Sequence, residues 1–241
     1  MKEILIQNRV VDIPTTAGDG FKQILIKADD CYEFLTGVAA YAKSAPTADV
    51  FEIELRDDFN TILSFSPWQN WLKNPSSVAY NLQDAFKPLN INAKGRNFYL
   101  NIRYKNITAF SFVVLFRQSI KSIECRRYDI QSWTIPAPAL GATYEITLPG
   151  DYNFCKGIAI AGGDVANDMF LGLDISDAAG AITDPVPLSI LRPTENTWYD
   201  NGFFDVNFES KIRQIRVRLT ELGTLPTTYT ATDYTISFLL V

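Results

Sequence analysis

The sequence predicts an all-β fold, two tandem eight-stranded jelly rolls, each a two-sheet β sandwich, and three observations predict it. The chain repeats itself: Tyr32 to Ala39 reads YEFLTGVA and Tyr152 to Ala159 reads YNFCKGIA, so Tyr, Phe, Gly and Ala coincide at an offset of 120 residues. Short runs of alternating β-branched and aromatic residues, separated by Gly, Pro, Asn and Asp, fill both halves. Long amphipathic helices are missing, which removes the βαβ architectures.

The repeat extends along the chain. FEIELRD (51 to 57) keeps the apolar phase of LGLDISD (171 to 177), and IQNRVVDIP (6 to 14) lies over IQSWTIP (130 to 136) if two residues are dropped. ILSFSP is set against LSILRP, YLNIRYK (99 to 105) against QIRVRLT (214 to 220), and FSFVVLF (110 to 116) against YTISFLL (234 to 240). Two domains follow, 1–120 and 121–241, joined by a linker, 117 to 129, that is not Gly/Ser-rich.

The first copy yields strand segments at 3–13, 21–28, 32–42, 50–57, 61–65, 86–92, 98–104 and 110–116. The second yields them at 131–137, 142–148, 153–161, 169–176, 186–192, 202–208, 212–220 and 233–241. Eight antiparallel strands in this length suit a jelly roll. One short helix is expected, SSVAYNLQDAF (76 to 86), capped by Ser76 or Ser77, with Val78, Leu82 and Phe86 on one face. It lies in an insertion of the first copy, 67 to 87; the second copy has its own, 221 to 232.

Composition narrows the function. Hydrophobic residues make up 47% and charged residues 20% of the chain, enough for packed cores. A net charge of −5 with no basic run argues against direct contact with nucleic acid. No apolar run is long enough to span a bilayer, and MKEILIQNRVV lacks the features of a signal peptide, so a soluble chain made without secretion is expected. There is no histidine, which removes the usual general base and the commonest zinc ligand, and no catalytic constellation is identified. Cys31, Cys125 and Cys155 match no metal-ligand spacing and read as buried, reduced thiols.

Candidate sites are few. AGGD (161 to 164) has neither the spacing nor the following helix of a phosphate loop and reads as a turn. The acid pairs Asp29 and Asp30, Asp57 and Asp58, and Asp174 and Asp177 could supply oxygens to a structural calcium, but none has EF-hand spacing, and solvated strand ends are the simpler reading; no cofactor is expected. Trp68 and Trp71 sit three apart in the first insertion, where they pin the loop to its core, form a subunit contact or stack on a sugar ring. Trp133 and Trp198 read as core or strand-edge residues. In KIRQIRVRL, Arg213, Arg216 and Arg218 give a basic strand face, and the break in alternation at Gln214 suggests a bulge. Gly37 and Gly157, equivalent in the repeat, read as a bulge or close-packing point that both copies need.

Two tandem jelly rolls in one chain without a catalytic constellation resemble the double jelly roll major capsid proteins of tailless, internal-membrane icosahedral bacteriophages. The resemblance covers the whole chain and rests on architecture and duplication. It implies a structural protein and not an enzyme, a homotrimer of pseudo-sixfold outline that tiles an icosahedral shell, and a place in the virion capsid after synthesis in the host cytoplasm. The implied partners are neighbouring capsomers, other capsid proteins and an internal membrane. The insertions 67 to 87 and 221 to 232 become outward or inter-subunit loops. The alternative readings are a carbohydrate-binding β-sandwich module and a minor capsid or decoration protein.

Overall fold

The computed structural model describes residues 3–73, 86–123, 128–193, 203–211 and 213–241. Alternating side chains put one face of each strand against its own core, and the chain forms two compact units. The first contains β1 (Ile4–Ile13), β2 (Thr16–Lys27), β3 (Phe34–Tyr41), β4 (Val50–Asp57), β5 (Thr61–Pro67), β6 (Leu72–Lys73), β7 (Lys87–Asn92), β8 (Asn97–Ile107) and β9 (Phe110–Ser119). The second contains β10 (Asp129–Ile135), β11 (Thr143–Thr147), β12 (Phe154–Gly162), β13 (Leu171–Asp177), β14 (Gly180–Pro187), the one-turn helix α1 (Leu188–Leu191), β15 (Phe204–Glu209), β16 (Gln214–Glu221) and β17 (Tyr234–Leu240).

In the second unit one sheet runs β10-β17-β12-β15 and the other β11-β16-β13-β14. In the first, β1-β9-β3 continues to β7 and β6, and the other sheet runs β2-β8-β4-β5. Each unit therefore pairs its first, last and third principal strands in one sheet and its second, fourth and fifth in the other, which is the jelly-roll order. Between the sheets of the second unit lie Ile146, Ile158, Leu173, Val217 and Phe238, and burying each such side chain contributes about 1.5–3 kcal/mol.

The pairing shows where the two copies correspond. In β4 and β5, Ile53 pairs with Ser66 and Leu55 with Leu63, and in β13 and β14, Leu173 pairs with Val186 and Ile175 with Thr183, each residue 120 positions further on. Both hairpins also break register on either side of the same residue, Leu55 in one and Ile175 in the other. Farther along the spacing changes: Ile53 pairs with Ile102 and Leu173 with Leu219, and Val38 pairs with Phe116 and Ile158 with Phe238. The sequence matches of YLNIRYK and FSFVVLF are thus each displaced by two residues, a shift that period-two alternation cannot reveal.

Three further expectations are corrected. LSILRP is not the counterpart of ILSFSP: VPLSILR holds the end of β14 and then α1, and the fifth strand is the preceding GAITDPVP. Pro187 introduces α1 as Pro67 introduces the 3-10 turn Trp68–Asn70, because proline's fixed φ suits the start of a helical turn. The first unit has the two-residue β6, parallel to β3, besides its eight strands. Gln214 is not a bulge; it opens β16, which pairs without interruption on both sides. Most of the helix expected at 76 to 86 lies outside the described residues, as does Trp198.

Gly37 and Gly157 occupy the same position in β3 and β12. The register slips between Leu35 and Gly37 against both neighbouring strands, and between Cys155 and Gly157 against both of theirs. A phenylalanine closes over each glycine: an added Cβ would lie 3.1 Å from the Phe86 Cβ at Gly37, and 2.6 Å from the Phe203 Cβ at Gly157. Gly157→Ala is expected to cost about 1–3 kcal/mol by overpacking and Gly37→Ala less, with Phe203→Gly, which removes the clashing Cβ, making the cost of the first smaller in that background, measured by urea unfolding.

Candidate functional site

Of the paired acids, Asp29 and Asp30 lie in the connection between β2 and β3, whereas Asp57 with Asp58 and Asp174 with Asp177 fall at or beside the hairpin between the fourth and fifth strands of each unit, where Asp57 and Asp177 play the same part. Asp57 ends β4; its Oδ1 accepts the backbone N–H of Phe59 at 2.8 Å and of Asn60 at 2.6 Å, and its Oδ2 lies 3.0 Å from Arg96 Nη1. Asp177 ends β13 and accepts the N–H of Ala179 at 2.8 Å and of Gly180 at 3.1 Å, while Arg213 Nε donates to its Oδ2 at 2.7 Å. The motif is the same in both copies: an aspartate closes its own turn and takes an arginine from the segment just before β8 or β16. Arg213, and next the Ala179 N–H, hold the Asp177 carboxyl below the usual carboxylate range. These carboxylates are not solvated strand ends, and among the described residues no group of His, Cys, Asp and Glu is placed to hold a metal. Asp174 is likewise engaged, by Arg218, and Glu145 by Arg216, so the basic face of β16 meets acids of its own sheet. Asp57→Ala leaves two N–H groups and Arg96 without their acceptor and is expected to destabilise the first unit by about 1–3 kcal/mol in urea titrations, with Asp57→Asn in between.

The AGGD segment is a turn built around a carboxylate. Gly162 and Gly163 have φ of 73° and 80°, the left-handed region, and the Tyr234 ring lies where a side chain on Gly163 would stand. The Asp164 N–H donates to the Tyr234 hydroxyl at 2.9 Å, and the Asp164 carboxylate accepts from the Thr230 N–H at 3.0 Å and from Asn167 Nδ2 at 2.7 Å. Those donors, Thr230 foremost, depress its pKa. The insertion 221 to 232 is thereby tied down across one end of the sandwich, where the Tyr229 hydroxyl also donates to the Pro138 carbonyl.

Trp71 is buried, donates its indole N–H to Ser66 Oγ at 2.9 Å, and lies under the Lys87 ammonium at 5.5 Å. It fills the place that Leu191 fills after Pro187, so it plugs the core and offers no face to a sugar ring. Trp68 is half-buried. Trp133 packs edge-on against Phe238.

The thiols are not alike. Cys155 is buried beside the Gly157 bulge, and burial pushes its pKa up to about 12. Cys31 is exposed, contrary to expectation, because it follows β2 in the loop to β3, where its N–H bonds to Asp29; the Asp29 carboxylate raises its pKa. Cys125 lies outside the described residues. With Cys125 replaced by Ser, Ellman's reagent should titrate one thiol in the native chain and a second only on unfolding.

Sequence reasoning missed the aspartate–arginine pairs as a repeated device, although Asp57 and Asp177 share the repeat's offset; Arg96 and Arg213 stand at a different spacing and gave no signal.

No family model and no curated protein matches the chain. Among solved structures it is similar to a chain of the PBCV-1 virus capsid, at 9% identity over 98% of this chain and 93% of that one, with a TM-score of 0.49. It is also similar to the major capsid protein P2 of bacteriophage PM2, at 9% identity over 97% of each chain, TM-score 0.42. A chain of Sulfolobus turreted icosahedral virus is 10% identical over 100% of this chain and 91% of that one, TM-score 0.44. The strand pairing within this chain, repeated in both units, makes it a double jelly roll.

Proposed function

We propose that the chain is a viral structural protein, the major capsid protein of an icosahedral shell, assembling as a homotrimer. The observation that carries this reading is the presence of two jelly rolls in tandem with the same strand order, which share the bulge of the third strand and the register breaks of the fourth–fifth hairpin. A trimer of such chains presents six sandwiches, so a threefold assembly acquires the nearly sixfold outline that tiles a closed surface. The absence of histidine from the sequence fits a chain selected for packing and not for proton transfer. The mild negative charge fits a shell that does not grip the genome, and neighbouring capsomers are the principal partners. The burial of Trp71 takes away the aromatic pair on which a glycan-binding reading rested.

Light scattering on the purified full chain is expected to give three times the 27.1 kDa chain mass or larger closed particles, seen directly by electron microscopy. A chain that stays monomeric at high concentration and is retained on glycan beads would overturn the reading.

A further inference from the structure

The second unit carries a segment that its fold does not require. In the first unit β8 and β9 are joined by Thr108 and Ala109 alone, whereas residues 222–233 join the corresponding β16 and β17. Both ends of this connection are fixed: the Leu222 N–H donates to the Phe170 carbonyl at 2.8 Å, and the Asp233 carboxylate accepts from the Ala137 N–H at 3.0 Å. Between these anchors, residues 223–232 make no backbone–backbone hydrogen bond among the described residues. They are exposed except for the half-buried Leu225 and Tyr229, which pack on the core. The hydrogen bonds that hold the stretch are few. The Thr227 N–H donates to Asn167 Oδ1 at 3.2 Å, the Thr230 N–H to Asp164 Oδ2 at 3.0 Å, and the Tyr229 hydroxyl to the Pro138 carbonyl at 2.7 Å. Asp164 and Asn167 are both buried, and Asn167 Nδ2 donates to the same Asp164 oxygen at 2.7 Å, so two of these contacts converge on one carboxylate.

We propose that residues 223–232 form a strap that opens as one piece while the sheets of the second unit stay paired, and that the Asp164 carboxylate is its latch. A stretch anchored at both ends, with two half-buried side chains and no ladder of its own, opens at a lower free energy than the fold as a whole. Opening leaves the sheets intact, since β16 pairs with β11 and β13, and β17 with β10 and β12, and neither pairs with the strap. It bares Leu225, Tyr229 and their place on the core together. Every group bonded to the latch is a donor: the Thr230 N–H, Asn167 Nδ2 and the N–H groups of Ala166 and Asn167. These donors hold the Asp164 pKa below the usual carboxylate range. The latch is therefore complete above the ordinary carboxylate value and is lost as the pH falls through the depressed one, below about 4. Around it stand Tyr234 of β17 and Tyr229 of the strap, whose hydroxyls stay neutral there because burial raises their pKa, that of Tyr229 to about 12, and the ion pair of Asp168 with Arg192.

Chymotrypsin acting on the folded full chain reads the opening at the Tyr229–Thr230 bond, with the cut sites identified by mass spectrometry. Asp164→Asn turns an amide NH2 toward one of the latch's donors and is expected to speed that cut about tenfold or more, the effect of losing one buried hydrogen bond. Tyr229→Phe keeps the cleavage site, loses the bond to Pro138 and is expected to speed the cut as well. Cleavage within β17, at Tyr234 and Phe238, is expected to stay unchanged in both variants. In the wild-type chain, protection of the Thr230 amide against hydrogen exchange, corrected for the intrinsic pH dependence of exchange, is expected to disappear below pH about 4, and in Asp164→Asn to be low at every pH. Cleavage at Tyr229 that rises only in step with cleavage at Tyr234 and Phe238 overturns the strap, because the whole unit is then unfolding. An unchanged rate in Asp164→Asn, or Thr230 protection that persists into acid, overturns the latch. None of these results bears on the capsid reading, whose test is the mass of the assembly.

Discussion

Each sandwich depends on the glycine in its third strand. β3 and β12 each pair on both sides, and in each the register slips at one place against both neighbours at once, at Gly37 and at Gly157. A register error of one residue would turn a strand's whole apolar face outward, so this slip fixes which side chains of three strands reach the core. The glycine is required because Phe86 or Phe203 lies against the backbone where a side chain would begin. In the first unit the Arg117 guanidinium, lowered in pKa by burial, packs over Phe86 and donates to the Thr36 carbonyl at 3.0 Å beside the same bulge. In the second unit Leu239 pairs with the glycine at that place, so the constraint is common to both copies and its surroundings are not.

A second shared device acts at the other sheet. The strand-end aspartate satisfies two N–H groups of its turn and takes an arginine from the segment that leads into β8 or β16, fastening two connections that are far apart in sequence. The proline before the helical turn is a third: it starts the 3-10 turn in one copy and α1 in the other, and the turn then drops Trp71 or Leu191 into the core. All three devices are backbone problems solved by a few residues, and they persist between copies whose other residues differ widely.

What differs between the copies lies mainly in loops and exposed faces. The loop after β12 turns on two glycines and a buried carboxylate and carries apolar side chains outward, whereas the loop after β3 is polar. Loops tolerate such divergence because the sheets beneath them are held by pairing and burial.

Fold class, duplication and the equivalence of Gly37 and Gly157 are legible in the sequence, because alternation, turn residues and a shared glycine are local patterns that survive in one dimension. It misplaced the fifth strand of the second copy because VPLSILR is apolar throughout, and a short apolar run is compatible with strand or helix until its partner is known. It set two strands out of step by two residues because such a shift preserves the facing of every side chain. That Asp57 and Asp177 meet arginines, and that Trp71 is buried while Cys31 is exposed, follows only from the packed chain. Those outcomes depend on which segments become neighbours, and that is set by sheet pairing between residues distant in the chain.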